Sequence, residues 1–124
     1  MRALFVACAV ALLPVTAHPH GNETVIIQQP VHARQLDGYV RFRGLSDDSQ
    51  AISGVQVEEC DVGWKHVLTS TITDAQGHFH LVAVAKGWTH YLRLSAPGFN
   101  QSLYTVKLSS HAPSELDLSM TVAT

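Results

Sequence analysis

Cysteine is scarce in this chain, and its scarcity removes several functions at once. Two cysteines, Cys8 and Cys60, among 124 residues cannot staple a disulfide scaffold, and no Cys-x-x-Cys pair is present for redox chemistry. Charge is sparse too: Asp, Glu, Lys and Arg make up 15% of the residues, and eight Lys and Arg against ten Asp and Glu leave a formal net charge of −2. Such a surface is too weak, and of the wrong sign, to track a phosphate backbone, so nucleic acid is not an expected partner. A phosphate-cradling Gly-rich loop, a Gly-x-Ser-x-Gly nucleophile elbow and an Asp-x-Asp-x-Asp-Gly calcium loop are all missing. Nothing in the sequence therefore speaks for an enzyme. Apolar runs are short as well, and none approaches the roughly 20 residues that a helix needs to cross a bilayer.

What is present begins with an export signal. Met1-Arg2 is a short positive start, Ala3 to Leu13 is unbroken apolar sequence, and Pro14-Val15-Thr16-Ala17 ends in the small residues that a signal peptidase reads. Residues 1–17 are thus expected to be a signal peptide, placing the mature chain outside the cell or in the periplasm or cell envelope. Cleavage after Ala17 makes His18 the new amino terminus and leaves Cys60 as the single thiol.

The mature chain reads as all-β. His18 to Gln35, with two prolines and only a brief Val25-Ile26-Ile27 run, is an extended leader able to add an edge strand. From Leu36 onward, short stretches of alternating apolar and polar residues recur about every ten residues between Gly, Asp, Asn and Pro, the spacing of a β-sandwich. Strands are expected over Asp37–Arg43, Gly54–Cys60, Val67–Thr73, His78–Ala83, His90–Ala96, Leu103–Leu108 and Leu116–Val122, with a polar loop from Gly44 to Ser53. Asp74-Ala75-Gln76-Gly77 is a strong turn signal, because Asp accepts bonds from amides just beyond it and Gly tolerates positive φ. Read as a hairpin, it sets Thr73 opposite His78 and Ile72 opposite Phe79. Leu68, Ile72, Phe79 and Leu81 are then buried, and Thr71, Thr73, His78 and His80 lie on the other side.

Three stretches carry a family resemblance: Gly54-Val55-Gln56-Val57, Thr71-Ile72-Thr73-Asp74-Ala75-Gln76-Gly77-His78-Phe79-His80-Leu81, and Leu92-Arg93-Leu94-Ser95-Ala96-Pro97-Gly98-Phe99. Together they resemble the carboxypeptidase regulatory-like domain, over roughly Leu36 to Val122. The resemblance implies a single domain over residues 36–124, a seven-stranded Greek-key sandwich of the transthyretin (prealbumin) type with a carbohydrate-binding-like fold. It also implies an accessory role without catalytic residues. One departure stands out: where the family has Gly-x-Tyr entering the fifth strand, this chain has Trp88-Thr89-His90, so His90 takes an inward position that is normally aromatic.

Eight histidines are many for this length, and four fall in pairs, His18 with His20 and His78 with His80. Two residues apart on a strand puts both imidazoles on one face, a start toward copper or zinc ligation. A terminal His18 would also offer its amine, although Pro19 removes the next backbone amide. Two ligands fall short of the three or four that zinc sites use. Solvent-facing strand residues and a disordered His-Pro-His leader are the plainer readings. Trp64, Trp88 and Tyr91 are the candidate sugar-stacking residues, near strand ends where binding groups collect, with core packing as the rival role. Glu58-Glu59-Asp61 and Asp47-Asp48 read as solvated acidic loops. Asn22-Glu23-Thr24 and Asn100-Gln101-Ser102 match the glycosylation sequon.

The expected function is that of an exported, non-catalytic module that works by binding an envelope or secreted protein, or carbohydrate, and needs no cofactor. The alternative is a periplasmic or secreted copper- or zinc-binding protein using the amino-terminal histidine pair.

Overall fold

The computed structural model describes residues 23–43 and 49–124. The expected signal peptide, His18, His20, Asn22 and the Asp47-Asp48 pair lie outside the described residues. Ten strands follow one another: β1 (Thr24–Ile26), β2 (Val31–Ala33), β3 (Leu36–Arg43), β4 (Ser49–Ala51), β5 (Gln56–Cys60), β6 (Val67–Ile72), β7 (His78–Leu81), β8 (Thr89–Ser95), β9 (Gln101–Leu108) and β10 (Leu116–Met120). Among the described residues, one 3₁₀ turn spans Val62–Trp64, and no helix is long and apolar enough to cross a membrane.

The strands form two mixed sheets packed as a sandwich. The larger runs β1-β9-β8-β5-β6, with β2 also paired to β9; the smaller runs β10-β3-β4, with β7 also paired to β3. β1 and β2 lie parallel to β9 and β10 lies parallel to β3, while every other pairing is antiparallel. All seven expected strands are present within a residue or two of their expected ends. The additional β1 and β2 come from the leader, whose Ala33 is fully buried, and β4 falls within the expected polar loop.

Alternation along each strand explains the layering. In β8, His90, Leu92 and Leu94 point inward while Thr89, Tyr91, Arg93 and Ser95 face out; in β10, Leu116, Leu118 and Met120 are buried between exposed Asp117 and Ser119. The core joins Val57, Leu92, Leu94 and Val106 of the larger sheet to Leu36, Val40, Phe79 and Leu118 of the smaller. Each such side chain contributes about 1.5–3 kcal/mol by leaving water. The Tyr104 hydroxyl fastens the layers: on β9, it donates to Ser119 O of β10 at 2.8 Å and accepts from Ser119 N at 2.9 Å. A buried phenol needs such partners.

The expected hairpin is corrected by the pairing. β6 pairs with β5 and β7 with β3, so Asp74–Gly77 carries the chain from one sheet to the other instead of closing a ladder. The turn chemistry itself is as expected: Asp74 Oδ1 accepts from Gln76 N at 2.9 Å and His78 N at 3.0 Å, and Gly77 has φ 77°. Thr73, however, turns inward, its hydroxyl donating to Ile52 O at 2.7 Å and accepting from Val55 N at 2.8 Å. The crossover buries Phe79 and Leu81 and leaves Leu68 and Ile72 exposed on the β6 edge.

Candidate functional site

The outer face of the larger sheet holds the most organised set of surface side chains. Register aligns Gln56 with Ser95, Glu58 with Arg93 and Cys60 with Tyr91 across β5 and β8. Arg93 Nε donates to Glu58 Oε1 at 2.8 Å, and this bond is the main reason the guanidinium is held protonated beyond its ordinary range. Arg93 Nη1 also reaches Trp64 O at 3.4 Å.

Trp64 is folded down onto this face by the turn that follows β5. Asp61 organises the turn, its Oδ1 accepting from Lys65 N at 3.0 Å and His66 N at 2.8 Å while its Oδ2 lies 2.8 Å from His66 Nδ1. The His66 ring bond, with those amides, holds the Asp61 carboxyl below the usual carboxylate range. Trp64 sits at φ 55°, uncommon for an aromatic residue, and its indole N–H is shared between Leu92 O at 3.1 Å and Tyr104 O at 3.2 Å. Its ring meets Tyr91 edge-on at 5.4 Å. Trp64 is therefore held in place by its indole bonds, with the Tyr91 ring packed against it. Cys60 is also fully buried, and burial pushes its thiol up from its ordinary value.

Trp88 does not join them in an aromatic pair: it is 72% exposed just before β8 and has no aromatic partner among the described residues. At the opposite end of the same face, Gly54, Gln56, Ile72, Ser95, Ala96, Pro97, Phe99 and Gln101 line an open depression of about 510 Å³. Sequence reasoning missed it. Period-two alternation marks Gln56 and Ser95 as outward, but the concavity arises from the turn at Ala96–Phe99 meeting β5, which no local pattern shows.

Glu59 overturns the solvated reading of its acidic cluster. Its carboxylate is fully buried, accepting from Val84 N at 2.7 Å and Ala85 N at 3.2 Å and lying 2.8 Å from His90 Nδ1. The signal was there: Glu59 is in phase with inward Val55 and Val57, as His90 is with Leu92 and Leu94. An inward acid and an inward imidazole on neighbouring strands satisfy each other.

On the far side of the molecule, His78 and His80 face outward from β7 and flank Asp37 of β3. His78 Nε2 lies 2.7 Å from Asp37 Oδ1, and His80 Nδ1 lies 4.0 Å from Asp37 Oδ2. His78 and Asp37 stand together with Glu115 as groups able to hold a metal ion. Of the sequons, Asn100 is half-buried, its amide donating to Thr121 Oγ1 at 3.0 Å and its Oδ1 accepting from Glu23 N at 3.2 Å.

No protein-family model matches the chain, and no curated protein matches it.

Proposed function

We propose that the chain is an exported, non-catalytic binding module of the carboxypeptidase regulatory-like kind, a transthyretin-type seven-stranded Greek-key core extended by short edge strands. Its ligand is an envelope or secreted protein, or carbohydrate. The supporting observation is the outer face of the larger sheet, where Trp64 and Tyr91 are immobilised beside the Arg93–Glu58 pair and lead toward the Gln56–Ser95 depression. Immobilised aromatics lose little conformational entropy on binding, and the neighbouring charged and amide groups supply directional hydrogen bonds.

Beside this face, the β6 edge exposes Val67, Leu68 and Ile72, and among the described residues β6 pairs on one side only. An open strand edge with apolar side chains suits addition of a partner's strand.

A glycan panel read by tryptophan fluorescence, run beside a pull-down from the native host, tests the reading. A bound oligosaccharide is expected to shift the emission of the chain and to lose at least tenfold in affinity in Tyr91→Ala. A protein partner is expected to be lost in Arg93→Glu. A flat glycan panel together with captured proteins indifferent to both substitutions would reject the outer-face site.

A further inference from the structure

We propose that Asp37, His78 and Glu115 form a binding site for a divalent transition metal of the zinc class on the outer face of the smaller sheet. Strand register builds it. Asp37 and Tyr39 both face outward from β3; His78 lies opposite Tyr39 and His80 opposite Asp37 on one side, and on the other Glu115 immediately precedes Leu116, the partner of Gly38. One ligand atom from each of Asp37, His78 and Glu115 lies within 4.8 Å of the others.

The decisive detail is at Asp37. Its Oδ1 is buried and has no hydrogen-bond partner, although His78 Nε2 is only 2.7 Å away. An ordinary histidine–aspartate ion pair points its N–H at the oxygen, and this one does not. Buried carboxylate oxygens without a well-directed donor are rare, and because two ligands on one tetrahedral zinc stand about 3.3 Å apart, a small opening of this 2.7 Å approach would admit the ion between them. The other oxygen is provided for, since Gln35 Nε2 donates to Asp37 Oδ2 at 3.3 Å and orients the carboxylate. Tyr39 packs against the His78 ring at 5.2 Å and restricts its rotation. Such outer contacts are what hold metal ligands in register.

The donor set fits the class. One imidazole nitrogen and two carboxylate oxygens suit zinc or copper, and three protein ligands with a fourth position open is an established zinc arrangement. Glu115 is exposed and free to swing inward, and His80 stands at the rim as a further nitrogen donor. The site owes nothing to His18 or His20, so it is distinct from a metal site at the amino terminus.

Calorimetric titration of the chelator-stripped chain with zinc chloride tests the assignment. One zinc per chain is expected, with affinity reduced at least tenfold in Glu115→Gln and in His78→Ala and unchanged in a His18→Ala, His20→Ala double variant. Because Glu115 is exposed, Glu115→Gln keeps the fold; zinc should raise the melting temperature of the parent chain and leave that of Glu115→Gln unmoved. Absence of zinc binding, binding retained in both single variants, or binding lost only in the amino-terminal double variant would each overturn the site.

Discussion

His90 Nδ1 and Glu59 Oε2 lie 2.8 Å apart in the core, and neither side chain is reached by solvent. The remaining ring nitrogen, Nε2, faces Gly87 O at 3.0 Å, and a carbonyl only accepts, so Nε2 carries a hydrogen. Glu59 is in turn the acceptor for Val84 N and Ala85 N, so the pair pins the Val82–Trp88 loop against β5 and β8.

Removing one partner leaves the other buried without compensation. Glu59→Ala or His90→Leu is expected to destabilise the fold by about 3–5 kcal/mol. Replacing both with leucine should recover much of that loss, because a buried pair is often no better than well-packed apolar groups. Urea unfolding of the single and double variants measures it. A double variant as unstable as the sum of the singles would contradict the coupling.

Thr73 offers a smaller, cleaner test. Thr73→Val preserves shape but strands the Val55 N–H and the Ile52 carbonyl inside the protein. The expected loss is about 1–3 kcal/mol. Thr71→Val, two residues earlier in β6 and without such bonds, should change stability by less than about 0.5 kcal/mol. Equal effects at the two positions would mean that the Thr73 hydroxyl is not the tie between the β5 entry and the crossover.

These two cases also show what was legible in the sequence and what was not. Alternation located the strands because a half-buried sheet forces period two, but the acidic character of Glu58-Glu59-Asp61 had Glu59 read as solvated although it is in phase with Val55 and Val57. Pairing was a different matter. The Asp74–Gly77 turn is built from local bonds that are identical whether the next strand returns to the same sheet or crosses to the other, so the signal for a turn carried no signal for a hairpin. What decides is non-local: β3 offers Phe79 and Leu81 a partner, and Thr73 finds its acceptor in Ile52, 21 residues away. The candidate sites divide similarly. His78 and His80 were visible as a same-face pair, but Asp37 on β3 and Glu115 just before β10 are brought alongside only by the pairing of β3 with β7 and β10. Trp64 was visible as an aromatic near a strand end, while its anchoring to Leu92 and Tyr104 depends on the turn folding back across the sheet.

Acid should weaken the fold through two exposed carboxylates. The ring bond from His66 lowers the pKa of Asp61, and the backbone bonds from His78 and then Gln76 lower that of Asp74. A carboxyl whose folded value is depressed contributes stability that is fully present above its unfolded value, near pH 4, and is lost as pH falls through the folded value. Urea midpoints are therefore expected to hold between about pH 7 and pH 5 as far as these two groups are concerned, and to decline below about pH 4. Asn at either position keeps an acceptor oxygen but cannot titrate, so an Asp61→Asn, Asp74→Asn variant should show a shallower decline. An acid limb as steep as that of the parent would assign the effect to other groups.

Gly77 is where the crossover between sheets is most exposed to a single substitution. Its φ of 77° lies in the left-handed region, and a Cβ there would stand 2.8 Å from Val40 O and 2.9 Å from the Ala51 Cβ. The backbone is that tight because Gly77 O accepts from Val40 N at 2.9 Å, binding the turn to the middle of β3. Gly77→Ala thus meets both backbone strain and a clash with main-chain atoms that cannot rotate away. A cost of about 1–3 kcal/mol from the strain alone is expected, with the contact adding to it. Gly54 is the matched control: its φ is 79°, but a Cβ there meets nothing within 4 Å, so Gly54→Ala carries the strain without the clash. Thermal unfolding of the two variants separates the contributions, and a Gly54→Ala as destabilising as Gly77→Ala would show that β3 and β4 do not press against the turn.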